Sequence, residues 1–221
     1  MKEKYLKTLS ELSKILTDEK SNRAITYLKL KIKETQMPGS SSEKTAPAKG
    51  EQGDFPLPVE VQDLQRAVAV FSDGACRGNP GPGAWGVMAQ NATGEVIFES
   101  SGIDASTTNN RMELEGAIKG LELVHEYFEE HNEINTQPVY VYSDSRYVVD
   151  GIEKWVPGWK ARGWKKADKK APENLELWQT LDRLALSFHM LKFYWVKGHA
   201  GHPQNEHCDQ LANKALDDSG F

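Results

Sequence analysis

Cysteine is scarce: Cys76 and Cys208 are the only two in 221 residues. That is too few for a disulfide scaffold, and their spacing does not fit a zinc site. Long apolar runs are also missing, since no stretch approaches the ~18 uninterrupted apolar residues of a membrane span. A membrane-spanning helix is thereby excluded. The first residues, MKEKYLKTLS, have neither an apolar core nor a small-residue cleavage site, and a secretory signal needs both. A reduced, cytoplasmic protein is expected. Overall basic charge is lacking too, because the formal net charge is −5. Global charge therefore gives no warrant for a nucleic-acid partner, which must be argued from local patches.

What is present divides into a small piece and a domain of ordinary size. Residues 1–36 hold nine Lys/Arg against five acids, a net +4, so residues 37–221 carry −9. Leu9, Leu12 and Leu16, then Ile25, Leu28 and Ile32, recur at helical steps, with Thr17, Asp18 and Ser21 between them as turn and cap residues. A short helical hairpin is expected over 1–36. From Met37 to Pro58 the text MPGSSSEKTAPAKGEQGDFPLP holds four prolines and three glycines and almost nothing to bury. The spacing predicts a flexible linker over 37–60, followed by a domain over 61–221.

Within that domain strand and helix signals alternate. RAVAVFSDG reads as a buried strand, and AWGVMAQ and EVIFESSG as two more, joined by the hairpin turn NATGE. Asn110 to Glu130 form a long helix with Leu114, Ala117, Ile118, Leu121, Val124 and Phe128 on one stripe, and Asn110 with Glu113 resembles a capping box. VYVYSD is a fourth strand. Ser145–Lys154 and Asn174–Ser187 are helical, MLKFYWV is a fifth strand, and Asn205–Asp217 is a last helix. Five strands interleaved with helices indicate an α/β domain with a mixed sheet flanked by helices.

Acids at strand ends are the informative feature, because open α/β sheets place ligands in the crevice beyond those ends. Asp73 closes the first strand and Asp144 the fourth, while Glu113 and Asp209 lie in the first turns of two helices. All four meet at one edge if those strands are neighbours. Carboxylates at close range repel one another unless a counter-charge is present. Mg²⁺ is the natural one, since it favours oxygen ligands and works in pairs on phosphoryl groups.

The segments SDGACRGNPGPGAWG, TTNNRMELEGAIKGL, YSDSRYVVDGI, WVPGWKARGWKKADKKAPENLELW and WVKGHAGHPQNEHCDQLA resemble bacterial type 1 ribonuclease H, in order and over roughly residues 66–217. The resemblance implies a ribonuclease H-like fold and hydrolysis of the RNA strand of an RNA/DNA hybrid by two metal ions, Mg²⁺ with Mn²⁺ as a substitute. It implies that Asp73, Glu113, Asp144 and Asp209 are catalytic metal ligands, with Asp73 bridging both ions. His199 in KGHAGH matches the family's mobile histidine, assigned to proton handling or product release. The products would carry 5′-phosphate and 3′-hydroxyl ends.

Between Lys154 and Lys170 seven bases surround Trp155, Trp159 and Trp164 against the single acid Asp168. Such a patch neutralises phosphates, and indoles pack on sugars or on each other. The resemblance adds that this segment, with Trp159, Lys160, Arg162, Trp164, Lys165 and Lys166, grips the DNA strand without sequence specificity. Contact with the 2′-hydroxyl is expected from Cys76, Asn79, Asn109 and Asn110 in the wide minor groove. Arg146 departs from the family's glutamine, and arginine donates but cannot accept. Residues 1–36 contain only Tyr5 and Tyr27 as aromatics and no glycine, so the family's aromatic-rich N-terminal hybrid-binding module is absent. A basic hairpin of this kind suits nucleic acid, a protein partner or a second copy; a solubilising tail is the bland alternative. The protein is expected to be a monomer. The competing functions are a hybrid-binding protein without catalysis, which the four acids oppose, and an integrase-like strand transferase, which the TTNNRMEL and basic-tryptophan blocks oppose.

Overall fold

The computed structural model describes residues 2–15, 25, 55–131, 137–198 and 201–221. The chain forms two compact units, Met1–Gly53 and Asp54–Phe221. In the first unit, helix α1 spans Lys2–Ile15, and Ile25 is helical and buried. The remainder of the expected hairpin, and the linker up to residue 54, lie outside the described residues. The second unit begins ahead of the expected boundary at 60/61. Phe55 and Leu57 pack on its core, and Val61 is fully buried in it. Prolines 56 and 58 suggest a linker, but the apolar residues alternating with them find a sheet face to cover.

That unit contains α2 (Val59–Gln62), β1 (Val68–Cys76), β2 (Gly81–Asn91), β3 (Val96–Thr107) and α3 (Asn109–Glu130). It continues with β4 (Pro138–Ser143), α4 (Arg146–Asp150), a π-helical turn (Gly151–Trp155), α5 (Val156–Ala161), α6 (Leu175–Ser187), β5 (Met190–Trp195) and α7 (Pro203–Asp218). The sheet is mixed and five-stranded, in the order β3-β2-β1-β4-β5. β1 pairs antiparallel with β2 and parallel with β4. Among the described residues no helix is long and apolar enough to cross a membrane.

The period-2 alternation of strands places the core on both sheet faces. Val68 and Val70 of β1, with Val139 and Val141 of β4, face α3 and α6 and pack on Leu114, Leu121, Trp178 and Leu181. Ala69 and Phe71, with Tyr140 and Tyr142, face the other way and pack on Met88, Val61 and Cys208. Being central, β1 is buried from Val68 to Asp73.

Three local expectations change. β1 runs on to Cys76 and β2 starts at Gly81, so RGNPGPG closes a longer hairpin, with Arg77 N–H donating to Pro82 O at 2.8 Å. The long helix is capped at Thr108 without a side-chain bond, so Asn110 and Glu113 form no capping box. The helix expected over Ser145–Lys154 continues to Ala161 through the π-helical turn, where Val156 N–H reaches Gly151 O. Pro157, next in line, has no N–H to donate, and one wide turn absorbs the break.

Candidate metal centre and its surroundings

Asp73 lies inside β1, opposite Gly86 of β2, rather than at the strand's end. Its Oδ1 accepts from Gly74 N–H at 2.8 Å. Gly74 is small for a reason: a Cβ there would stand 2.5 Å from Glu113 N and 2.8 Å from Met112 C. Only glycine lets the second turn of α3 come that close to β1, which brings Glu113 to Asp73. Asp144 follows β4 directly, and β4 is the parallel neighbour of β1. Asp73, Glu113 and Asp144 each present an oxygen within 4.8 Å of the others.

Asp73 is 7% exposed and Glu113 6%. Burial, then the neighbouring Asp144 and Asp209, push the Asp73 carboxyl up to about 8, against the pull of Gly74 N–H. Burial, then Asp73 and Asp144, push Glu113 well above the carboxylate range. Glu113 Oε2 is buried without a hydrogen-bond partner, while Asn109 Nδ2 donates to its Oε1 at 3.4 Å. Among the described residues no lysine or arginine pairs with these three acids. An all-oxygen set with an orphaned buried lone pair and unrelieved repulsion fits a hard divalent cation.

Asp209, in the second turn of α7, stands outside that set of three, close enough for its charge to act on Asp73. Its Oδ1 accepts from Asn213 Nδ2 at 2.7 Å. His199 lies outside the described residues. Two residues not anticipated from the sequence support the acids. Asn205, 2% exposed, donates its Nδ2 to Asp73 Oδ2 at 3.4 Å. Its position four residues before Asp209, on the same helix face, is the signal that could have found it. Trp195 donates its indole N–H to Asp144 O at 2.8 Å, and Gly198 lies so near the Asp144 carboxylate that a Cβ would collide with Oδ2.

The residues expected to meet the substrate divide. Asn79 Oδ1 accepts from Asn109 N–H at 3.3 Å, so the loop after β1 covers the start of α3, with exposed Asn110 beside them. Half-buried Cys76 turns its thiol to Gly78 O at 2.6 Å. Cys208 is buried against Phe71 O. His207 meets Glu99 Oε1 at 2.9 Å. The Arg146 guanidinium lies over the Trp195 ring, 3.8 Å from its centroid.

The basic segment is partly built into the fold. Trp159 and Trp164 pack against the main core, and Trp155, Trp159 and Trp178 form an aromatic cluster with centroids 5.7–6.5 Å apart. Trp159 and Trp164 thereby spend much of their apolar area inside the fold, whereas Trp155 stays exposed at 39%. Lys160 pairs with Asp182 at 2.8 Å and Lys154 with Asp150 at 2.7 Å. Arg162 Nε donates to Lys165 O at 3.1 Å, and Lys166 N–H to Lys170 O at 2.8 Å, which folds residues 162–170 into a tight loop. Lys165, Lys169 and Lys170 are exposed on it, with Lys166 half-buried.

Comparison with known proteins places this arrangement in context. The family model described as RNase H matches residues 65–217. A Rhizobium meliloti (strain 1021) protein named Ribonuclease H is 49% identical over 150 residues, 68% of this chain and 90% of that protein. A Ribonuclease H of Escherichia coli O139:H28 is 48% identical over 163 residues, 72% of this chain and 97% of that protein. Among solved structures, LC9-RNase H1, a type 1 RNase H with the type 2 active-site motif, superposes with a TM-score of 0.59 at 36% identity, covering 69% of this chain and 73% of that one. LC11-RNase H1 in complex with RNA/DNA hybrid superposes at 0.54 and 26% identity, covering 69% and 98%.

Proposed function

Because this chain belongs to the ribonuclease H family, and as such hydrolyses the RNA strand of RNA/DNA hybrids, we propose that the reaction takes place at Asp73, Glu113, Asp144 and Asp209. The observation that carries this reading is the convergence of three carboxylates within 4.8 Å, two of them buried. Asp73, Glu113 and Asp144 would hold one divalent cation, and Asp73 with Asp209 a second. Mg²⁺ is the natural ion and Mn²⁺ its substitute; when bound, such ions lower the pKa of a water and stabilise charge on the leaving oxygen.

The chain's own groups hold these acids in place before substrate arrives. Gly74 N–H and Asn205 orient Asp73, Asn109 orients Glu113, and Trp195 fixes the loop carrying Asp144. Preset orientation of this kind removes reorganisation from the reaction itself. His199 handles the proton or product release.

Exposed Lys165, Lys169 and Lys170, with Lys166 and Arg162, neutralise phosphates of the DNA strand and give affinity without base specificity. Trp164, within that loop, and Trp159 ahead of it anchor the grip on the core, and Lys160 adds a further base. Asn79, Asn109 and Asn110, with the backbone from Cys76 to Asn79, supply the donors and acceptors that meet a 2′-hydroxyl. Arg146, stacked on Trp195, adds a cation two residues beyond Asp144. The products are a 5′-phosphate and a 3′-hydroxyl. Residues 1–36, net +4, are read as a docking segment for nucleic acid or protein. A monomer in the reducing cytoplasm completes the proposal, in keeping with only two cysteines in the sequence.

Cleavage of matched RNA/DNA, RNA/RNA and DNA/DNA duplexes, with and without EDTA, tests this reading. Only the hybrid should be cut, in its RNA strand, and EDTA should stop it. Cutting that survives EDTA, or equal cutting of DNA/DNA, would overturn it.

A further inference from the structure

Ahead of the residues matched by the family model, the segment from Phe55 to Leu64 lies across the sheet face opposite α3. Phe55 O accepts from Gln90 Nε2 at 3.1 Å, and Pro56 O accepts from Gln204 Nε2 at 2.5 Å. Gln204 Nε2 also donates to Gln90 Oε1 at 3.1 Å. Gln90 is 0% exposed and Gln204 4%. The Phe55 ring lies 5.2 Å from that of His207, and His207 in turn holds Glu99 of β3. At the other end Val61 is sealed in the core, and Tyr142 donates its hydroxyl hydrogen to Glu60 at 2.9 Å.

We propose that the Phe55–Pro56 end of this strap is a positioning element of the metal centre, acting through Gln204 to seat the first turn of α7 and so set Asn205 and Asp209 against Asp73. The inference rests on the reading of those carboxylates given above. Its physical basis is the stiffness of a helix and the cost of a buried amide without a partner. Gln204 immediately precedes Asn205, whose amide reaches Asp73, and both side chains are buried. Gln204 cannot shift without giving up its bonds to Pro56 O and Gln90, and α7 moves as one body from its first turn. The strap carbonyls thus act at one remove: they hold Gln204, whose helix presents Asn205 and Asp209. Removal of groups that support metal ligands costs ~10–100-fold in affinity or activity, and a displacement of the order of 1 Å is enough for ~100-fold in rate.

The test uses the full chain with Gln204→Leu, Phe55→Ala and, as a control at the far end of the strap, Glu60→Ala. Mn²⁺ affinity is measured by calorimetry without substrate, and kcat and KM on a labelled hybrid, at a temperature where circular dichroism shows every variant folded. Gln204→Leu and Phe55→Ala should each weaken Mn²⁺ binding by ~10-fold and lower kcat with KM unchanged. Glu60→Ala should lower Tm and leave both quantities as in the parent. Parent-like Mn²⁺ affinity and kcat in the first two variants overturn the proposal, as does an equal loss in all three, which marks a general effect on stability. Should Gln204→Leu fail to fold, Phe55→Ala decides alone. Failure of the parent chain to bind Mn²⁺ or to cut the hybrid would instead sink the assignment of the centre.

Discussion

Trp195 and Asp144 are joined by an indole N–H to main-chain oxygen bond of 2.8 Å, made from β5 to the residue just beyond β4. The same strand ends are tied by Val196 N–H to Ser143 O at 3.0 Å, and Arg146 covers the indole face. The loop that carries Asp144 is therefore held by its neighbour strand as well as by its own Ser145, whose N–H donates to Ser143 Oγ at 3.1 Å. Trp195→Phe keeps a ring and removes the donor. It should cost about 1 kcal/mol in denaturant unfolding, the net worth of one such bond, and lower kcat more than it changes KM. An unchanged kcat would show that the bond does not steer Asp144.

Asp73→Asn removes a charge that both proposed cation positions would share. Cleavage of the hybrid in Mg²⁺ should be abolished, while gel-shift binding of uncut hybrid stays measurable because the proposed phosphate grip lies elsewhere. Full activity in this variant would remove the metal assignment.

Asp73 keeps its proton up to about 8 in the folded chain and releases it near 3.8 when unfolded. Between those values the folded state binds more protons than the unfolded one, so stability falls as pH rises through the window. Glu113, raised well above its usual 4.5 by burial and then by Asp73 and Asp144, acts in the same direction. Scanning calorimetry in EDTA should show Tm falling between pH 4 and 8, Asp73→Asn should flatten that slope, and Mg²⁺ at the alkaline end should restore Tm. A Tm that rises with pH in EDTA, and shows no response to Mg²⁺, contradicts the cluster's electrostatics.

Lys165→Ala with Lys166→Ala should weaken binding of any hybrid sequence to a similar degree. The slope of log K against log salt should become shallower by about 2, one for each phosphate that is no longer neutralised. Fluorescence anisotropy across a salt series reads this directly, and a slope equal to the parent's would discard the loop as a phosphate grip.

Gly74→Ala pushes a methyl group into the Glu113 and Met112 backbone. Overpacking of this kind costs ~1–3 kcal/mol, and relief comes only by moving α3 away from β1. Thermal unfolding should report the destabilisation, and activity should fall further than stability accounts for, since Glu113 leaves Asp73. Parent-like activity would mean that the close approach is not needed.

Much of the fold was legible in the sequence because local periodicity is a direct physical record of burial. The five strands and the long helix follow from it. Asp73, Glu113 and Asp144 were legible as candidates through their motifs, and the structure brings their oxygens together. The parts that were not legible depend on the meeting of distant residues. Trp159 and Trp164 read as packing on sugars or on each other, and their packing on the core was not legible, because sequence spacing does not say which side of a tryptophan is already covered. Lys160 read as one of seven bases facing the single acid Asp168, and its pairing with Asp182, 22 residues on, was not legible. Phe55 and Leu57 read as linker because proline and glycine surround them, and only the sheet face they cover makes them structural.

Residue types and their periods by themselves determined which segments become strands and helices, and which acids are available for chemistry, since both are properties of short stretches of chain. Only the tertiary structure decided that β4 lies beside β1, that glycine at 74 admits α3, and that Gln204 rests on the strap. Each of these is a distance between atoms far apart along the chain, and such distances are fixed by the packing of the whole domain.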